Sequence, residues 1–273
     1  TGTHTMYNNI VDMGIYDGIF SKKLWYAGAA TTNGHIAIVA TYPNPNSAAN
    51  AAEAFSKWSN LIGDPALHLW SDNPTNFNFE HPTTLSLGTT MQEYIITNES
   101  GVVVPDARVT LLMGDDVIFA TGLTDEHGQI SLSWGAIESG TMHLTVIKRN
   151  HRPYEGTIEI SSAAGSAVAM SSGTLEAISG EETDFEITLH NFGNAIASDV
   201  MAELSSPSGQ ITLHDAIISV GDINSGADET VVFSAYVHGT AFHMEDLDLK
   251  LTISDTEGNA WVNAVSVNVE GPY

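Results

Sequence analysis

Trp58-Ser59-Asn60-Leu61-Ile62-Gly63-Asp64-Pro65-Ala66-Leu67-His68-Leu69-Trp70 is the stretch on which the reading of this chain turns. It closes an Ala- and Gly-rich segment and opens a long succession of short, alternating runs. Gly63-Asp64-Pro65 is a local breaker: Gly accepts φ > 0, Asp bonds its own backbone, and Pro cannot continue a helix. Trp58 and Trp70 flank it with two indoles, a large apolar surface for so short a segment. Trp58, Gly63, Asp64, Pro65 and Trp70 therefore form the expected structural junction.

Upstream, Ala48, Ala51, Ala52, Phe55, Trp58 and Ile62 recur at helical spacing behind a possible N-cap at Ser47. They predict an amphipathic helix of about four turns. Tyr42 to Asn46 reads as a loop. Asn33 to Ala40 reads as a turn followed by a buried strand, because it is a short apolar run without polar alternation. Lys22 to Ala30 reads as helical, and the apolar run Ile15 to Phe20 is interrupted by Gly18. Strand, loop, helix and breaker make a partial α/β segment over residues 1–72. A single strand forms no sheet, so this segment is not expected to fold as an independent domain.

Downstream of Pro74 the period becomes two. Strands are expected at Asn76–Glu80, Leu85–Leu87, Met91–Thr97, Arg108–Met113, Val117–Ala120, Gln129–Trp134, Met142–Ile147 and Gly156–Ile160. Ser161 to Ser172 reads as a linker or edge strand. A second series follows at Thr174–Ile178, Asp184–His190, Asp199–Leu204, Ala216–Val220, Glu229–Val237, Leu247–Ile253 and Trp261–Val269. Short strands separated by regular turns are the signal of a β-sandwich, here one over 73–160 and one over 161–273. The halves repeat. Asn98 before Gly101 and Asp106 in the first matches Asn191 before Gly193 and Asp199 in the second, and the two Asn are 93 positions apart. That period is the size of one such domain.

The run Asn60-Leu61-Ile62-Gly63-Asp64-Pro65-Ala66-Leu67, followed by Leu69-Trp70, resembles the close of the caspase-like catalytic domain in gingipain-type cysteine peptidases. In that family an immunoglobulin-like module follows within a few residues. The resemblance covers residues 20–160 best. It implies a mainly β chain: the C-terminal remnant of a caspase-like α/β domain at 1–72, then two tandem immunoglobulin-like β-sandwiches. The family's Cys nucleophile and His base lie before the matched segment, so no catalytic role transfers to any residue here. The implied function is the non-catalytic C-terminal portion of a secreted endopeptidase, scaffolding the catalytic domain and mediating surface or partner contacts. Its partner would be an N-terminal catalytic fragment of the same precursor. The alternative is an extracellular structural subunit of filament or surface-layer type, whose partners are copies of itself.

Charge narrows the partners. The 273 residues carry 33 acids and 8 bases, a net charge of −25. That argues against nucleic acid or anionic lipid. The imbalance grows along the chain, from 5 acids and 3 bases in residues 1–72 to 17 acids and 1 base in residues 161–273. No apolar run reaches the length of a membrane span. Thr1 opens a polar stretch without a signal-peptide pattern, as expected of a processed or truncated chain. There is no cysteine, which excludes disulfides, thiolate metal sites and a thiol nucleophile within these residues.

Other chemistry is sparse. No His-Glu-x-x-His, EF-hand loop, Gly-x-Ser-x-Gly elbow or phosphate loop occurs. Gly114-Asp115-Asp116 and Thr124-Asp125-Glu126-His127-Gly128 fall at expected turns. Asp115, Asp116, Asp125 and Glu126 are candidate calcium ligands there, calcium being the one cofactor the pattern suggests; ordinary turn chemistry accounts for the same residues. His4, His35, His68, His81 and His127 fall near turns or element ends, where structural or exposed roles are expected. Asn98-Glu99-Ser100 fits the glycosylation pattern.

Overall fold

The computed structural model describes residues 5–43, 55, 57–135, 137–161, 165–172, 174–242 and 246–271. It divides into two compact units: residues 1–76 together with 148–152, and residues 77–147 together with 153–273. The first is helical among its described residues, and the second holds every named strand.

Helix α1 spans Thr5–Tyr16 and runs into a π-helical turn, Asp17–Ser21; helix α2 spans Ala27–Thr41. Glycine governs how the two helices meet. A Cβ on Gly14 would lie 2.7 Å from the Ala37 Cβ and 2.9 Å from the Gly34 Cα. Without it, the two backbones approach closely. The buried Asn33 side chain donates through Nδ2 to the Gly14 carbonyl at 2.5 Å, and its Oδ1 accepts from Lys22 Nζ at 2.9 Å. A side chain inserted at a helical carbonyl is one recognised cause of a break in the regular ladder, and the π turn lies one turn further on. Lys22 also pairs with Asp17 at 3.1 Å; hydrogen bonds from Lys22 and Ser21 hold the Asp17 carboxyl below its ordinary value. Tyr7, Val11, Ile38 and Phe55 form the small core of this unit.

Several expectations are corrected here. The strand read over Asn33–Ala40 is the second half of α2. Its buried positions, Ala27, Ala30, Gly34 and Ile38, keep a helical period, while Ile36 and Val39 point outward. A short apolar run does not distinguish buried strand from helix. Lys22–Trp25 is not helical, with Lys23 at φ +61, so α2 begins only at Ala27. Among the described residues of 1–72 no strand occurs, so the α/β layering expected there is replaced by helices. Of the helix expected from Ser47 to Ile62, residues 47–54 and 56 lie outside the described residues. Phe55, Lys57 and Trp58 are helical, and Ile62 lies beyond the helix, 98% exposed.

The mainly β class holds. The first sandwich contains β1 (Thr84–Ser86), β2 (Met91–Ile95), β3 (Arg108–Met113), β4 (Ile118–Leu123), β5 (Gln129–Ser133), β6 (Gly140–Ile147) and β7 (Tyr154–Ser161). One sheet runs β1-β7-β6-β3-β4; the other is β2-β5. Val109, Leu111, Leu144 and Ile158 from the first meet Tyr94 and Leu132 from the second, with Trp134 just past β5, in one core. Asn76–Glu80 alternates but forms no strand; Phe77 makes an isolated bridge to Asn98.

The second sandwich contains β8 (Val168–Met170), β9 (Thr174–Ile178), β10 (Glu182–Asn191), β11 (Ala197–Ser205), β12 (Ile211–Leu213), β13 (Ile217–Ile223), β14 (Asp228–Val237), β15 (Asp246–Ser254) and β16 (Ala260–Glu270). Its sheets run β12-β14-β10-β8 and β13-β11-β15-β16-β9. β8 falls within Ser161–Ser172, the stretch read as a linker or edge strand, and lies at the edge of its sheet. Phe185, Phe233 and Trp261 are the largest side chains of its core.

The two sandwiches are joined by direct bonds. Thr90 N–H donates to the Val262 carbonyl at 2.8 Å. Buried Asn263 donates to the Gly88 carbonyl at 2.7 Å and accepts from Met170 N–H at 2.7 Å. Gly88 has φ +103, and a Cβ there would lie 2.8 Å from the Val168 carbonyl oxygen, so this crossing needs glycine. Lys250 pairs with Glu93 at 2.6 Å beside a cleft of about 520 Å³ between the sandwiches.

Candidate functional site

The junction stretch acts as the cap of α2. A helix leaves its first N–H groups without partners, and Tyr26 supplies no side-chain cap. Ala27 N–H donates instead to the Leu67 carbonyl and Gly28 N–H to the Pro65 carbonyl, both at 2.9 Å. Leu69 N–H returns to the Trp25 carbonyl at 2.7 Å, and Tyr26 and His68 form an antiparallel bridge with their rings 4.3 Å apart. Gly28 is required by this approach: a Cβ there would lie 2.8 Å from Pro65 Cβ. Gly63 has φ +139, and Asp64 Oδ1 accepts from Ala66 N–H at 2.8 Å.

Beyond Trp70 the chain is held by the β6–β7 connection. Ser71 N–H donates to Asn150 Oδ1 at 2.9 Å, and Arg149 donates to Ser71 Oγ at 2.7 Å. The Arg149 guanidinium lies 3.8 Å from the Trp25 ring centre, with Lys23 at 5.4 Å. Such stacking contributes about 0.5–2 kcal/mol. Spacing gave no sign of this cluster, because its members are far apart in sequence.

The two junction indoles are not buried. Trp58 is 63% exposed and Trp70 about half exposed, as are Leu61 and Leu67. Their neighbours behave alike. On α1, Met6, Met13 and Tyr16 recur at helical spacing on the outward face, Met13 being 72% exposed, and Phe20 in the π-helical turn is exposed as well; on α2, Ile36 and Val39 do the same. A helix apolar on both faces is ordinarily buried on both. His35 serves structure, donating through Nε2 to the Ser59 carbonyl at 2.8 Å.

The candidate calcium ligands fall into two places. Asp115 and Asp116 sit in the β3–β4 turn, with Asp116 at φ +66; Asp125 and Glu126 sit in the β4–β5 turn. β4 separates them, and nine extended residues span about 30 Å, so the four carboxylates form no common site. Asp125 Oδ1 accepts from His127 N–H at 2.9 Å and Gln129 N–H at 2.7 Å, the work of a turn residue. Among the described residues, no three His, Asp or Glu gather into a group that could hold a metal ion.

The second sandwich repeats that turn. Asp255 Oδ1 accepts from Glu257 and Asn259 N–H, both at 3.0 Å, while Oδ2 accepts from Ser166 Oγ and Asn259 Nδ2 at 2.8 Å. The shared Asp-x-x-Gly pattern was the available signal, at Asp125–Gly128 and Asp255–Gly258. Partial burial pushes the Asp255 carboxyl up. The hydrogen bonds from Asn259, Ser166 and the Glu257 backbone outweigh it and hold the group below its ordinary 3.8. A depressed carboxyl stabilises the fold above its unfolded value, and that contribution is lost as pH falls through the folded value. The stability gap between wild type and Asp255→Asn should therefore close below about pH 4. Equal acid sensitivity of the two proteins would refute this.

The acids of residues 161–273, with Lys250 as their one base, repel one another. Added sodium chloride or calcium should raise the melting temperature of the second sandwich. A flat response in both titrations contradicts the expectation. Among the described residues no helix is long and apolar enough to cross a membrane.

No family model and no curated protein matches the chain. Solved structures do. The crystal structure of the Arg-specific cysteine proteinase gingipain R is 18% identical over 56% of this chain and 33% of its own, with a TM-score of 0.42. A complex of the pro- and mature domains of Porphyromonas gingivalis RgpB is 20% identical over 50% of this chain and 29% of its own, with a TM-score of 0.37. Salmonella alpha-2-macroglobulin reacted with methylamine is 10% identical over 76% of this chain and 17% of its own, with a TM-score of 0.34. The chain thus spans a third or less of the length of each.

Proposed function

We propose that this chain is a non-catalytic C-terminal portion of a secreted, gingipain-like cysteine endopeptidase. Its helical unit packs against a catalytic layer carried by another part of the same precursor, and its sandwiches make surface or partner contacts. The observation that carries the reading is the apolar outward surface of the helical unit: Met13, Tyr16, Ile36, Val39, Trp58 and Leu67 are all at least half exposed. Covering one such side chain is worth about 1.5–3 kcal/mol, so together they favour a protein layer over water. The Asn60–Leu67 run supports which layer it is, by its likeness to the close of a caspase-like domain.

The chain supplies no thiolate. A Ser or Thr hydroxyl without a positioned base is a far weaker nucleophile at pH 7, so catalysis belongs to the partner. Mass spectrometry of natural secreted material tests this. Peptides of this chain joined to, or copurifying with, a fragment containing Cys and His are expected. A repeating assembly of this chain alone would overturn the reading in favour of a structural subunit. Peptide hydrolysis by the isolated chain, abolished by one substitution within it, would also overturn it.

A further inference from the structure

We infer that the free edge of β4 is a strand-addition site for an extended segment of another polypeptide, apolar at alternate positions and basic at both ends. β4 is the last strand of its sheet and pairs only with β3. The bond from Thr124 N–H to the Ala107 carbonyl, with the register Gly122 opposite Val109 and Ala120 opposite Leu111, places the even residues in the paired positions. In an antiparallel pair the alternate residues face away. Phe119, Thr121 and Leu123 therefore turn N–H and C=O to the open edge, where they make no backbone hydrogen bond among the described residues.

The side chains fit the same use. Phe119 is 60% exposed and Leu123 52%, with Leu112 beside Phe119 on the same outward face. No charged residue occurs from Val117 to Thr124. The other edges are blunted, as open edges usually are. β1, β8 and β12 are three residues long; β9 carries Glu176; β13 breaks register at bulges and carries Asp222; β2 carries Glu93; β5 turns Gln129, Ser131 and Ser133 outward. β4 alone among them is six residues and uncharged, with Phe119 and Leu123 flanking Thr121 on its exposed face.

Charge selects the occupant. Asp115 and Asp116 stand at one end of β4, Asp125 and Glu126 at the other, and all four are exposed. No Lys or Arg occurs between Arg108 and Lys148. His127 lies 4.0 Å from Asp125 and 3.8 Å from Glu126, on the same turn. A second copy of this chain would set acidic ends against acidic ends whether its β4 ran parallel or antiparallel. An extended partner of about nine residues spans the edge and brings a cation to each end. Main-chain bonds would supply affinity, and side-chain alternation and end charges the choice of partner.

The probe is a synthetic peptide, Lys-Lys-Val-Thr-Val-Ser-Val-Lys-Lys, titrated into the full chain, with a Glu-flanked peptide of the same centre as control. Binding at least tenfold tighter for the Lys-flanked peptide is expected, with amide shifts centred on Phe119, Thr121 and Leu123. Thr121→Pro removes one outward N–H and leaves the β3 ladder intact, so it should weaken binding at least tenfold; Leu123→Lys gives a second, milder block should the proline variant fail to fold. No binding, equal binding by the two peptides, or shifts elsewhere overturns the inference. So does concentration-dependent dimerisation abolished by Leu123→Lys, which would make a second copy the occupant.

Discussion

Asn191→Ala should lower the melting temperature of the second sandwich by about 10 °C, whereas Asn98→Ala should move the first by only a few degrees. The two residues hold the same place in the internal repeat, yet their surroundings differ. Asn191 is fully buried. Its Oδ1 accepts from Ala167 N–H at 3.1 Å and Gly193 N–H at 2.9 Å; its Nδ2 donates to the Ala195 carbonyl at 2.8 Å and the Ile223 carbonyl at 2.9 Å. Truncation leaves those main-chain groups without this partner, at about 1–3 kcal/mol for each one that water does not reach. Gly193 tightens the same corner: a Cβ there would run into the Gly165 carbonyl and lie 2.6 Å from Ala167 nitrogen, so the backbone has no room to reorganise. Asn98 caps an exposed turn through Ser100 and Val102 N–H at 2.9 and 3.1 Å, and its loss exposes those groups to solvent. Thermal unfolding of both variants, with hydrogen exchange at Ala167 and Gly193, tests the contrast. Equal shifts for the two would show that the repeat position, not the buried network, sets the cost.

The repeat was legible because it is local chemistry. A strand-like run leads to Asn, a Gly turn follows, and an Asp stands at the entry of the next run, Asp106 just before β3 and Asp199 within the first residues of β11. The structure adds the reason for Asp: Asp106 has φ +50 and Asp199 φ +48, a conformation that short polar side chains tolerate. Strand positions were legible for the same reason, since period two survives wherever one face is buried; Arg108–Met113 and Thr174–Ile178 coincide with β3 and β9. β12 was missed because three residues carry no measurable period. The helical segment misled because its information is in contacts between distant residues. Gly14 against Gly34, Asn33 against Gly14, Pro65 against Gly28 and Arg149 against Trp25 leave no local spacing to read. The turn acids were visible, but residue type alone did not separate a metal ligand from a turn cap; the bonds to Asp125 Oδ1 show the second use.

Gly14→Ala gives the corresponding test in the helical unit, and its sign is informative. On an exposed helix, Ala is preferred to Gly by about 1 kcal/mol, so simple propensity predicts stabilisation. The packing predicts the reverse. The new methyl would meet the Ala37 Cβ at 2.7 Å, the Gly34 Cα at 2.9 Å and the Asn33 carbonyl oxygen at 3.2 Å. Two of these three are backbone atoms of α2 and cannot rotate away, so α1 must move out. That movement stretches the bond from Asn33 Nδ2 to the Gly14 carbonyl and loosens Val11 against Ile38 in a core of few side chains. Overpacking of this kind costs about 1–3 kcal/mol, enough to reverse the propensity gain. Asn9→Ala, on the exposed side of α1, serves as the propensity control and should be neutral or slightly stabilising. Adding Ala37→Gly to Gly14→Ala removes the shortest contact and leaves the one to Gly34, so it should restore part of the loss, a coupling that a double-mutant cycle reads directly. Far-UV helical signal against temperature and the rate of proteolysis within α1 are the measurements. Should Gly14→Ala raise the helical melting temperature as Asn9→Ala does, the close glycine-mediated approach of α1 and α2 would be wrong.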